Sequence, residues 1–153
     1  MGTNINRIVM RTIKFRGKDI STGEWRYGDL VQFEEDGVKR TTIFTGGLKG
    51  LTYSVKPNTI GQFTGLYDSI GRGIYEEDII RSFDSKGEPI IHVIVYDNND
   101  AKFIAVLAGY TKYDFGCGGI TQKWINEFEK EVIGNIHDNP ELLKPNKYET
   151  TTM

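Results

Sequence analysis

The chain is poor in several things that narrow its function. It has a single cysteine, Cys117, so no intramolecular disulfide can form, and a reducing cytoplasm is the natural setting. Only two histidines are present, His92 and His137. No apolar run approaches the roughly 20 residues of a membrane helix, so no membrane partner is expected. Met1 to Asn6 lack the apolar centre of a secretion signal. There is no basic excess: 19 Lys and Arg stand against 21 Asp and Glu, for a net charge of −2. Phosphate neutralisation supplies most non-specific affinity for nucleic acid, so this balance counts against a dedicated duplex binder. Proline is scarce, with 4 residues against 18 glycines. Glycine serves turns at positive φ and weakens helices, so that ratio points to many turns between short strands.

What is present agrees with a β-rich chain. Ile13 and Phe15 alternate with Lys14 and Arg16 as a half-buried strand would. Trp25, Tyr27, Leu30, Val31 and Phe33 follow the turn Ser21-Thr22-Gly23, and Glu34-Glu35-Asp36-Gly37 reads as a hairpin loop. The apolar residues Ile60, Phe63, Leu66, Ile74, Tyr75, Ile79 and Ile80 are candidates for one shared core, punctuated by turn residues. Residues 78–83, 90–96 and 102–108 form an antiparallel meander. The run Ile90, Ile91, Val93, Ile94, Val95 predicts burial on both faces, inside a small barrel or sandwich. One helix is predicted over 121–131, capped by Thr121, with Ile120, Trp124, Ile125, Phe128 and Val132 on its apolar stripe. Met10 opens a second start, which would make 1–9 a leader, and the polar tail 144–153 is expected to be disordered. The fold class expected is mainly β, a β-rich α+β chain.

The candidate functional residues divide by chemistry. Gln62, Thr64 and Asp68 sit in a glycine-punctuated segment, where a ligand could meet polar groups beside open backbone. Turn chemistry explains the same residues, with Asp68 bonding to nearby amides. Arg7, Arg11, Lys14, Arg16 and Lys18 interleave with Trp25, Arg26 and Tyr27, a pattern that suits single-stranded nucleic acid. Glu76, Glu77 and Asp78 form the densest acidic cluster. A solvated turn is the favoured reading and no metal is expected; the alternative is a metal-dependent hydrolase or nuclease using Glu76 and Asp78, which share a strand face, with Asp68. A nucleophilic Cys117 would need His92 or His137 beside it, and nothing in the sequence brings either there. No phosphate-binding glycine loop occurs and no cofactor is expected. The surface set favoured for binding is Arg16, Trp25, Tyr27, Gln62, Thr64 and Asp68.

Three segments together resemble the YopX family. They are Lys14-Phe15-Arg16-Gly17-Lys18 with Trp25 to Leu30; Val55 to Asp68 running on to Gly71 and Ile74 to Ile80; and Glu131 to Leu143. One position departs: Glu77 stands where the family reads glycine. The resemblance implies a small SH3-like barrel, oligomerisation, and a bacteriophage or prophage protein in a bacterial cytoplasm, with no enzyme activity. On this basis the chain divides into a β subdomain at 10–66 and an SH3-like one at 67–143. It is expected to be a non-enzymatic accessory protein. Its expected partners are copies of itself or a host or phage protein, with nucleic acid as the alternative.

Overall fold

The structure, a computed structural model, describes residues 10–109 and 119–144. The expected leader at 1–9, Cys117 and all of the expected tail except Lys144 lie outside them. Among the described residues ten strands build two antiparallel sheets. The first contains β1 (Phe15–Lys18), β2 (Trp25–Glu35), β3 (Val38–Thr45), β4 (Leu51–Ser54), β5 (Gly61–Tyr67) and β6 (Gly73–Tyr75), in the order β4-β3-β2-β1-β5-β6. The second contains β7 (Asp78–Phe83), β8 (Pro89–Asp97), β9 (Lys102–Leu107) and β10 (Glu131–Asn135), in the order β10-β7-β8-β9. The change of sheet falls at Glu76-Glu77 rather than near residue 66, because β5 and β6 pair within the first sheet.

The mainly β class and the meander stand as expected. The barrel does not close, since β9 and β10 remain the edges of an open four-stranded sheet. Closure requires strands to tilt and stagger until the edges meet, and among the described residues no strand joins β9 to β10. Within β8 only Ile94 is fully buried, and Ile90, Ile91, Val93 and Val95 are half-buried, so the strand is not enclosed on both faces. The predicted helix is shorter than its apolar spacing suggested: α1 spans Gln122–Asn126. Thr121 caps it, accepting a hydrogen bond from the Trp124 amide at 3.1 Å. Glu127 turns extended and ends the helix, and Phe128 and Glu129 follow left-handed at φ 60° and 46°, with Phe128 exposed. The Lys130 ammonium meets the carbonyls of Trp124 and Glu127 at 2.9 and 2.7 Å, satisfying acceptors that the broken helix frees.

The core joins both sheets and the helix. Ile74 of β6, Ile80 of β7, Ile94 of β8, Ala105 of β9 and Ile125 of α1 are fully buried together, with Leu66, Ile120, Trp124 and Val132 packed against them. Each large aliphatic side chain taken from water contributes about 1.5–3 kcal/mol. Of the core expected from the middle of the chain, Phe63, Ile74, Tyr75, Ile79 and Ile80 are buried. His92 packs edge-on against Trp124 at 5.3 Å. Its burial, helped by the Lys130 charge, holds its pKa down to about 4.

The crossing between sheets runs through Glu77, which adopts φ 66°. Its N–H donates to the Ile94 carbonyl at 2.7 Å and its own carbonyl accepts from Ile136 at 3.0 Å. Those two bonds hold a side-chain-bearing residue where glycine is the unstrained choice. Glu77→Gly removes the left-handed strain and also the carboxylate, whereas Glu77→Ala removes only the carboxylate. The Gly variant is therefore expected to be more stable than the Ala variant by about 1 kcal/mol in urea melts. Equal stability of the two would contradict a strained crossing.

Candidate binding surface

β1 and β2 set cations and aromatics in alternation. Their register opposes Arg16 to Tyr27 and Lys18 to Trp25, and directly opposed residues share a face. Lys14, Arg16 and Lys18 therefore interdigitate with Trp25 and Tyr27. Lys14 lies 5.7 Å from the Tyr27 ring and Lys18 5.4 Å from the Trp25 ring. Arg16 lies 4.6 Å from Trp25 and 5.0 Å from Tyr75.

Arg16 is buried, contrary to the outward position that strand alternation gave it, while Ile13 is exposed. The reason is Asp78 at the start of β7. Its carboxylate pairs with Arg16 Nη2 at 2.7 Å and accepts from the Tyr75 amide at 2.8 Å. The same guanidinium nitrogen donates to the Glu76 carbonyl at 3.1 Å. Burial pushes the Asp78 carboxyl upward, against the pull of Arg16 and the Tyr75 amide. Burial also raises Glu76, whose side chain accepts from the Gln62 amide at 2.8 Å. Tyr75 is pushed up to about 12 by burial, so its hydroxyl stays protonated.

Asp138 ends the ladder. It accepts from Trp25 Nε1 at 2.7 Å and from Asn135 Nδ2 at 3.0 Å, and it pairs with the Lys18 ammonium. Desolvation opposes its ionisation, but the bonds from Lys18, Trp25 and Asn135 prevail and hold its pKa to about 2. The turn that presents it is built by Asn135, whose Oδ1 accepts from the amides of His137 and Asp138 at 3.0 Å each. His137 Nε2 meets the Glu77 carboxylate, and its ring stands edge-on to Trp25 at 5.9 Å.

Asp68 does as turn chemistry expects, and more. Its Oδ1 accepts from Ile70 and Arg72 at 3.1 and 2.7 Å. Its Oδ2 accepts from Val132 of β10 at 3.1 Å, joining the β5–β6 turn to the second sheet. Among the described residues, no group of three or more His, Cys, Asp or Glu is placed to hold a metal ion.

The six residues favoured for binding are not brought together. Arg16 and Asp68 are buried, and Trp25 and Tyr27 share one face with Phe63 and Tyr75. Gln62 and Thr64 lie on the opposite face of β5. What the fold assembles instead is a concavity of about 340 Å³ walled by Lys14, Tyr27, Phe63, Tyr67 and Tyr75. Phe63 stands 5.4 Å from both Tyr67 and Tyr75, and Tyr27 stands 5.4 Å from Tyr75. Gly73 keeps the floor open, because a Cβ there would meet the Phe63 ring at 3.0 Å. Phe63 and Tyr75 were the available signal for this site, and both read as core.

A family profile described as YopX protein matches residues 14–144. The chain belongs to the YopX family. Its fold is similar to the crystal structure of protein EF1440 from Enterococcus faecalis, with 24% identity and a TM-score of 0.55 over 88% of this chain and 100% of that one. No curated protein matches it. In this YopX protein the three family segments meet in space. β1 and β2 supply the ladder, the segment from Val55 to Ile80 supplies Tyr75 and Asp78, and the last segment supplies Asp138.

Two outcomes follow from this geometry. Arg16→Ala strands the buried Asp78 carboxylate and is expected to cost about 3–5 kcal/mol in denaturant melts. Asp138 has a folded pKa below its unfolded value, so its bonds stabilise above about pH 4 and fade as pH falls toward 2. The stability gap between the wild type and Asp138→Asn should shrink across that window. For so exposed a carboxylate the change is expected to be no more than about 1 kcal/mol.

Proposed function

We propose that this YopX protein is a non-enzymatic accessory protein of a bacteriophage or prophage, acting in the bacterial cytoplasm by self-assembly through its β2–β3 arm. The observation that carries the reading is the solvation of that arm. Every residue from 31 to 40 is exposed, although Val31 to Glu35 and Val38 to Thr42 are fully paired. A two-stranded ribbon with water on both faces is at best marginally stable by itself.

One face of the arm carries Val31, Phe33 and Glu35 on β2, opposite Thr42, Arg40 and Val38 on β3. Val31, Phe33 and Val38 are 42%, 46% and 49% exposed. A second copy related by a two-fold axis along the strands would set Phe33 over Arg40 and Arg40 over Phe33, with Glu35 of each copy diagonal to Arg40 of the other. That pairing is self-complementary in charge and adds a cation–π contact at each end. The acidic groups support a binding role as well, since Asp68, Glu76, Asp78 and Asp138 all accept hydrogen bonds from protein groups.

Light scattering on a size-exclusion column should give a mass above the monomer's. Val31→Glu with Phe33→Glu should weaken association at least tenfold while leaving the thermal melt of the body intact. A strict monomer at all concentrations, or an assembly indifferent to the double variant, would overturn the arm as the interface.

A further inference from the structure

We propose a second binding function, for single-stranded nucleic acid, along two concavities that flank β5. The first is the tyrosine-walled one. The second, of about 370 Å³, is lined by Arg11, Gln62, Thr64, Tyr96, Lys102 and Phe103 among others. Both touch β5: Phe63 and Tyr67 face the first, while Gln62 and Thr64 face the second. The N-terminal segment connects them, with Arg11 in one and Thr12 and Lys14 in the other.

Three observations select this ligand. Neither concavity is lined by any Asp or Glu among the described residues, in a chain whose acidic residues outnumber its basic ones. Together they hold the cations Lys14, Arg11 and Lys102, a local positive excess that complements a phosphate chain. Among the described residues Lys102 pairs with exposed Asp100 at 3.0 Å, a surface contact that a phosphate can replace.

Aromatic rings line both sides. Tyr27 and Tyr67 are 41% and 49% exposed at the first concavity, and Tyr96, at 38%, stands edge-on to Phe103 at 5.2 Å in the second. Cations beside exposed ring faces are what unpaired bases require, since every base presents a flat face and stacks without regard to sequence. Bases locked in a duplex cannot enter either concavity. The ladder cations Arg16 and Lys18 are already neutralised by Asp78 and Asp138, so the path runs from Lys14 toward Arg11 and Lys102 and away from the ladder.

The test is fluorescence anisotropy of the full chain with a labelled twelve-residue oligothymidylate, repeated across salt concentrations. Three phosphate contacts predict a log–log salt slope of about −2. Lys14→Glu should weaken binding roughly tenfold and flatten that slope. Tyr67→Ala and Tyr96→Ala should each weaken it roughly tenfold, with Tyr67→Phe close to wild type. Phe33→Glu, on the arm, should leave binding unchanged, which separates this proposal from self-assembly. Circular dichroism melts establish that each variant is folded. No binding at low salt, binding indifferent to all three substitutions, or a duplex bound as tightly would each overturn the proposal. A proline-rich peptide that quenches tyrosine fluorescence where the oligonucleotide does not would overturn it in favour of a peptide groove.

Discussion

The Arg16–Asp78 pair is the constraint around which the two sheets are arranged. Taking both charges out of water is expensive, and their mutual attraction offsets that only when the remaining polar atoms are satisfied. The fold meets most of that condition, drawing on both sheets. The Glu76 carbonyl and two aromatic faces surround the guanidinium, and the Tyr75 amide caps the carboxylate. Among the described residues Arg16 Nε has no hydrogen-bond partner, and the guanidinium carbon lies 4.6 and 5.0 Å from the Trp25 and Tyr75 rings. A pair assembled from β1 and β7 permits little sliding of one sheet over the other.

The same logic recurs at smaller scale. Asp138 reaches from the turn after β10 to Lys18 and Trp25, and Asp68 reaches from the β5–β6 turn to Val132. Each acidic side chain thus ties a turn of one sheet to backbone or side chains of the other. With these groups engaged with the protein itself, the proposed binding rests on the unpacked arm and the aromatic concavities. Binding through shape, ring faces and a few cations is the chemistry those surfaces can do.

The glycine-to-glutamate departure at Glu77 belongs to this picture. A left-handed residue at the crossing lets the chain leave β6 and enter β7 with Asp78 aimed at Arg16. Glutamate accepts the strain there and its carboxylate finds His137, adding another link between the crossing and the last family segment. Conformational cost and side-chain contact oppose each other at this one position.

Local rules in the sequence were enough to determine the strands, the meander of β7 to β9, the Thr121 cap and the amide-binding role of Asp68, because alternation, turn residues and caps act over a few neighbouring residues. The family resemblance also marked Glu77 as standing where glycine is usual. Only the tertiary structure decided that Arg16 points inward, that α1 stops at Asn126, that the second sheet stays open, and that Gln62 and Thr64 stand apart from Trp25 and Tyr27. Three of these depend on elements far along the chain: Asp78 for Arg16, pairing across β5 for the two faces, and the open β9 edge for the second sheet; the helix ends locally, where Glu127 turns extended. Sequence periodicity reports which side chains share a face. It is silent on what another element brings to that face, and there a buried charge outweighs the pattern.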